Sequence, residues 1–414
     1  MSKVLIRAGG GEIPELPTRA APARVIRSDA EAISVAHEVA RQIAPTAAER
    51  DRDAILAIDE IELYSQSGLW AITVPKQYGG AEVSNVTLAE VTAIISAADA
   101  SIGQIPQNHF YMVEALRLAG SPEQKAFFFD RVLQGDRFGN AFTELGGRTP
   151  VDFKTLTTKQ SDGTRLVQGQ KFYSTGTLYA HWIVVVAADE EKRSTIAFVP
   201  RGHKGLELVN DWTSFGQRST GSGTTKFHDV VVPEFNVIPH QDVFDRPTPM
   251  GPVAQIIQAA IDTGIARAAL TDTIDYTRKY ARPWFETNYE HGYEDPYVIA
   301  SVGDLALRVN ATNALLERAG EFVDKAAANP TEATVAAASI AVAEAKALST
   351  EVSLLVSSKL FELTGSRSTL KEFNLDRHWR NARTHTLHDT VRYKYVNVGN
   401  YYLNGVLPPR HGAL

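Results

Sequence analysis

Apolar residues return at three- and four-residue intervals at Ile33, Val35, Ala36, Val39 and Ile43, just after Ser28 and Glu31, which have the spacing of a helix-capping box. This predicts a helix from Ser28 that Pro45 ends or interrupts. The same period recurs in Ile55–Trp70, stops at Val74-Pro75-Lys76-Gln77-Tyr78-Gly79-Gly80, and resumes in Leu88–Ala98, Ile102–Leu118 and Gln124–Leu133. From Phe138 the pattern changes to short alternating or β-branched runs between Gly- and Asp-rich turns: Thr155–Thr158, Arg165–Gln168, Trp182–Ala187, Thr195–Val199, Leu206–Val209 and Lys226–Val232. Such runs predict a compact antiparallel barrel or sandwich. Long helical segments follow over Val253–Tyr280, Val298–Ala327, Thr331–Leu363 and Arg377–Leu403, enough for a four-helix antiparallel bundle. The expected organisation is α+β: a loose arm over 1–27, free to lie against another subunit, a helical domain over 28–137, a β domain over 138–235 and a helical bundle over 250–414.

Composition narrows the function. With 44% apolar and 22% charged residues, the 414-residue chain is a folded globular protein. A net charge of -6 offers no basic field for nucleic acid. No apolar run is long enough to span a membrane, and Gly9, Gly10, Gly11 and Pro14 break any signal-like stretch. The absence of Cys excludes thiolate nucleophiles and iron–sulfur clusters and suits a reducing cytoplasm, where the chain is expected to reside. Redox chemistry would therefore need a cofactor. No His, Asp and Glu set has metal-site spacing, and no Gly-rich turn opens a helix as a dinucleotide site requires.

Several segments, in order, carry a resemblance. Val74-Pro75 to Gly79-Gly80, Ala141-Phe142-Thr143-Glu144, Lys171-Phe172-Tyr173-Ser174-Thr175-Gly176 with His181-Trp182-Ile183-Val184-Val185, Phe215-Gly216-Gln217-Arg218-Ser219-Thr220, Phe227-His228-Asp229-Val230 and Arg282-Pro283-Trp284-Phe285 resemble landmarks of the acyl-CoA dehydrogenase superfamily. Two departures matter. Where that family has a late carboxylate base, this chain has Leu387-His388-Asp389-Thr390, and a glycine-rich flavin turn is matched by Thr364-Gly365-Ser366-Arg367-Ser368-Thr369. The segments Arg383-Thr384-His385-Thr386-Leu387-His388-Asp389 and Glu294-Asp295-Pro296-Tyr297 resemble the family's flavin-dependent monooxygenase branch, which includes dibenzothiophene monooxygenases and sulfur-acquisition oxidoreductases.

That resemblance implies reduced FMN and O2 as co-reactants, a C4a-hydroperoxide on the flavin, and transfer of its distal oxygen to a small organosulfur substrate. A separate, transient flavin reductase would supply the reduced FMN, and a homo-oligomer, by family a tetramer, would complete the site. His109 and His388 are the implied catalytic imidazoles, with a pKa near working pH, and Ser174 and Asn140 would add hydrogen bonds. Arg282 and Arg367, taken from two different subunits, would hold the flavin phosphate through their planar forks. Phe172, Trp212 and Phe285 are the implied walls of the ring cavity, Thr143 lies on the strand that meets the flavin, and Ser222 would donate to its tail. Arg377, Arg380, Arg383 and His385 read as a phosphate-facing surface, a solvated face or an intersubunit ion-pair set. Two other readings stay open: an FAD-dependent acyl-CoA dehydrogenase-type oxidoreductase with a relocated base, and a non-catalytic flavin-binding scaffold.

Overall fold

A computed structural model describes residues 5–19, 21–146 and 153–414. Parts of the expected arm (1–4 and 20) and of the expected β domain (147–152) lie outside the described residues. The first helix, α1 (Asp29–Ile43), begins because the Ser28 hydroxyl accepts from the Glu31 amide at 3.2 Å; the Glu31 carboxylate returns to the Arg27 amide rather than to Ser28. It is followed by α2 (Ala47–Asp53), α3 (Ile58–Gln66), α4 (Asn85–Ala98), α5 (Ala100–Gln104), α6 (Gln107–Ala119) and α7 (Pro122–Leu133). The run Ile102–Leu118 is not one helix. Pro106 lacks an amide proton, and the chain breaks there into α5 and α6.

Eight strands follow: β1 (Phe138–Ala141), β2 (Leu156–Lys159), β3 (Thr164–Lys171), β4 (Trp182–Ala188), β5 (Ser194–Pro200), β6 (Leu206–Val209), β7 (Thr224–Pro233) and β8 (Val237–Ile238). They form one sheet in the order β6-β7-β3-β2-β4-β5-β8, with β1 added on β4. The sheet is mixed, not purely antiparallel: β1 runs parallel to β4 along all four of its residues. The two are separated by β2 and β3 in sequence, so no hairpin forces them to oppose.

The last part contains α8 (Asp242–Asp245), α9 (Met250–Tyr280), α10 (Pro296–Ala328), α11 (Glu332–Thr364), α12 (Asp376–His385) and α13 (Arg392–Asn404). Every residue from Met250 to Ala266 is buried, as expected of a helix surrounded on all sides, and α9 packs against α4, α6, α10, α11 and α12. The segment Arg377–Leu403 is two helices, not one. The turn at Thr386–Val391 lets Asp389 accept from Gln255 Nε2 (3.1 Å), while Lys394 reaches Gln255 Oε1 (2.8 Å) and the Ala413 carbonyl (2.5 Å). Satisfying the buried Asp389 and Lys394 with these hydrogen bonds outweighs two more turns through His, Asp and Thr, which are weak in helix interiors.

Described residues of the arm, expected to be loose, are bonded to the rest of their own chain: Ala8 N–H donates to the Ala54 carbonyl, Leu56 N–H to the Ile6 carbonyl, and Arg19 pairs with Asp136 at 2.8 Å. Among the described residues no helix is long and apolar enough to cross a membrane, and no group of three His, Asp or Glu could hold a metal ion.

Candidate active site

One wall of the site comes from the sheet. Asn140 on β1 receives the chain after β3: its amide donates to the Thr175 carbonyl (3.0 Å) and its Nδ2 to the Tyr173 carbonyl (3.2 Å). The Ser174 amide donates to the Gly223 carbonyl. Tyr173 sits at φ 55°, a left-handed conformation that a bulky residue adopts only when its surroundings impose it. The fold spends that strain to aim Ser174 inward. Among the described residues nothing bonds Ser174 Oγ or Asn140 Oδ1, although both are buried. Behind them Thr175 Oγ1, Ser222 Oγ and Thr220 Oγ1 form a chain of hydroxyls 2.7 Å apart. Phe172, Tyr173 and Trp212 cluster beside it, with the rings of Phe172 and Trp212 centred 6.4 Å apart.

The opposite wall is helical. Gly216 meets α12 so closely that a Cβ would lie 2.0 Å from the Arg380 carbonyl, and the next amide, of Gln217, donates to Asn381 Oδ1 at 2.6 Å. This contact brings the sheet loop onto the helix that carries His385. His385 is fully enclosed and its Nδ1 lies 2.5 Å from Asp262 Oδ1; Lys346 Nζ takes the other carboxylate oxygen at 2.5 Å. One turn earlier on α9, the Gln258 side-chain amide is buried with both its polar atoms unpartnered among the described residues, as are the Gln217 side-chain amide, Thr384 Oγ1 and His385 Nε2. His388 follows in the turn, its side chain 39% exposed, with Nδ1 3.3 Å from Asp389 Oδ2. Its ring lies 6.4 Å from that of His385.

Both carboxylates here are weak bases. Burial alone would raise Asp262, but Lys346 and His385 outweigh it and hold the carboxyl below its ordinary value. Asp389 is likewise pulled well below the usual range, since His388 and Lys394 overcome its burial. His385 titrates below an ordinary imidazole, chiefly because it is buried.

The structure groups Asn140, Ser174, Ser222, Phe172 and Trp212 on the sheet wall and His385 and His388 on the helical wall. Thr143 contributes its carbonyl, which accepts from the Phe172 amide at 2.9 Å. His109 does not fit its expected role. Its Nε2–H donates to the Trp70 carbonyl (2.8 Å) and its Nδ1 accepts from the Phe138 amide (3.1 Å), so both nitrogens serve the main chain, and burial pushes its pKa down to about 3. Nor do Arg282 and Arg367 fall apart as a two-subunit pair. The Arg367 guanidinium lies 4.8 Å over the Tyr280 ring, two residues before Arg282, so one chain presents both. Phe285, three residues after Arg282, is 80% exposed with its ring against Trp284, rather than in the ring cavity. A rise of 1.5 Å per residue puts roughly 27 Å of helix between Tyr280 and Asp262.

Asp262, Lys346 and Gln258 stand outside the family-like segments, and Gln217 and Tyr173 lie within them with no role assigned. Asp262 carried a signal, a lone charge within the apolar run Ile256–Ala266, and so did Lys346 amid the Ala-rich segment read only as close helix packing.

The descriptions "Acyl-CoA dehydrogenase, N-terminal domain", "middle domain" and "C-terminal domain" match residues 30–136, 139–230 and 256–393. Dibenzothiophene monooxygenase of Mycolicibacterium goodii is 33% identical over 393 residues, covering 91% of this chain and 94% of the relative. A Pseudomonas putida protein named "Probable FMNH2-dependent monooxygenase SfnC" is 32% identical, over 91% of this chain and 96% of its own. The crystal structure of FMN-bound TdsC from Paenibacillus sp. A11-2 superposes with a TM-score of 0.88 at 32% identity, covering 92% of this chain and all of that one. The chain belongs to the acyl-CoA dehydrogenase family and stands within its flavin-dependent monooxygenase branch.

Proposed function

We propose that this chain is a two-component monooxygenase that uses reduced FMN and O2 to oxygenate an organosulfur compound. The observation that carries the reading is the character of the site: imidazoles and unpartnered amides and hydroxyls line it, while Asp262 is tied to the Lys346 ammonium and Asp389 to the His388 imidazole. An acyl-CoA dehydrogenase must lift a proton from carbon, and a carboxylate held below its ordinary pKa does this poorly. Interiors seldom leave so many polar atoms unpaired. A flat ring edged with N–H and C=O groups would pair them, and Phe172 and Trp212 would flank it. The site therefore fits a flavin.

When bound, reduced FMN supplies the two electrons and two protons that turn one atom of O2 into water while the other passes to the substrate. Around it, Ser174 Oγ and Asn140 Oδ1 orient the ring edge, and the aromatic cluster excludes water. His388, which holds Asp389 through Nδ1, keeps Nε2 to hold or move a proton at the mouth of the site. Arg282 and Arg367 grip the phosphate through paired N–H donors. Because they stand so far along α9 from Asp262, they serve the flavin of a second copy. Phe285, Tyr297 and Leu403, each at least 80% exposed, supply apolar surface for such an assembly. We read the assembly as a tetramer, the source of reduced FMN as a separate, transiently bound reductase, and the compartment as the cytoplasm.

The reading is tested by supplying the purified chain with FMN, a flavin reductase and oxygen-18 gas, against sulfides, sulfoxides, sulfinates and dibenzothiophene. Incorporation of labelled oxygen into one of them is expected. Formation of hydrogen peroxide alone with every compound would contradict it.

A further inference from the structure

Lys346, Asp262 and His385 come from α11, α9 and α12, and all three are fully enclosed. Asp262 Oδ2 accepts from Lys346 Nζ at 2.5 Å and from Thr350 Oγ1 at 3.2 Å, and Oδ1 faces His385 Nδ1 at 2.5 Å. Both carboxylate oxygens are thus in use, with two consequences for the imidazole. A carboxylate can only accept, so the proton of a neutral ring resides on Nδ1 and the lone pair on Nε2. Lys346 cancels the carboxylate's charge, so no unopposed anion holds the ring as a cation. Nε2 is buried and, among the described residues, makes no hydrogen bond. A structural histidine in this fold looks different, for His109 has both nitrogens paired with main chain.

We propose that Asp262 and Lys346 are positioning residues that together keep His385 neutral with Nε2 free to relay a proton during oxygen transfer. This rests on the oxygenase reading. In the relay, Nε2 accepts a proton given up by the reduced flavin as it is oxidised by two electrons. The O–O bond breaks, one oxygen bonds to sulfur, and the other, carrying the flavin's second proton, departs as hydroxide, which takes the first from Nε2 and becomes water. The imidazole ends each turnover as it began.

The titratable and charged groups facing the ring are Asp262 from α9, Lys346 from α11 and His388 from the turn after α12. Asp389 in that turn and Lys394 from α13 act one step away, on His388 and Lys346. Removing Lys346 leaves Asp262 unopposed and removing Asp262 leaves Lys346 unopposed, so the two changes push the ring in opposite directions.

The experiment is nitrogen-15 histidine NMR on the FMN-free full chain. Wild type should show His385 as the Nδ1–H tautomer. Lys346→Met should raise the ring's pKa by about one unit or more, the size expected of an opposite charge this close. Asp262→Asn should lower it and reduce the Nδ1–H population. Lys346→Gln, which keeps a polar group against Asp262, should shift in the same sense as Lys346→Met and replaces it if that chain does not fold. An unchanged ring in the Lys346 and Asp262 chains overturns the proposal. In the loaded enzyme, the pH at which product formation gives way to peroxide release should move with the ring in each variant. Shifted rings with an unmoved pH profile would overturn the relay while leaving the oxygenase reading intact; failure of the wild-type chain to oxygenate anything strikes that reading, not the ring's tautomer.

Discussion

The histidines of this chain differ in what their nitrogens face, and that difference is measurable. His109 and His240 are enclosed; His240 lies between the Tyr111 hydroxyl and Ser194 Oγ at 2.7 and 3.0 Å. Burial lowers their pKa values from 6.5 to about 3 and about 4. Between those values and 6.5 the unfolded chain binds protons that the native chain does not, so stability falls as pH drops through 6.5. The loss is ~1.4 kcal/mol per pH unit for each ring. Urea unfolding at pH 7 and pH 5 should show it, and His109→Gln should be less stable at both yet less sensitive to pH. His388→Gln should instead keep its stability and lose oxygen transfer in favour of peroxide, as peroxide assays would show. From sequence these two histidines are alike, each matched to a family position, because nothing in the letters reveals that the Trp70 carbonyl and the Phe138 amide claim one of them. Ser174 and Asn140 were legible through the motifs around them; Asp262 and Lys346 were not, since their meaning lies in a contact between α9 and α11.

Periodicity placed the helices that bury a stripe along their own length, such as α1, and continuous apolar character placed the enclosed α9. It failed where tertiary contacts decide. The four residues of β1 are all buried and do not alternate, so no period-two signal marks them. The break between α12 and α13 follows from Gln255, Lys394 and the Ala413 carbonyl, none adjacent in sequence to the turn they hold. Yet that break sets His388 apart from its helix, and the docking of the Gly216 loop on α12 sets the distance between the two walls. A methyl group at Gly216 would meet the Arg380 carbonyl. Gly216→Ala should therefore cost about 1–3 kcal/mol, lower the melting temperature and weaken FMN binding, both readable by thermal denaturation with and without FMN.

Across the whole molecule, the middle and the C-terminal end of α9 face different groups: Asp262 lies beside the imidazoles, and Tyr280 leads to Arg282 and the stacked Arg367. If roughly 27 Å of helix assigns these two regions to different flavins, as proposed, the assembled protein should complement. Arg367→Ala and His388→Ala chains, each inactive alone, should regain activity when unfolded together and refolded as a mixture; no recovery would mean that each copy holds its flavin by itself. The central claim, that the protein binds reduced FMN to activate oxygen, is tested most directly by anaerobic titration with reduced FMN and reduced FAD, followed by rapid mixing with oxygenated buffer. Reduced FMN should bind more tightly than reduced FAD and, on mixing, give a transient absorbance belonging to neither reduced nor oxidised flavin. Tight binding of FAD, bleaching of the oxidised form by an acyl-CoA and no transient with oxygen would contradict it.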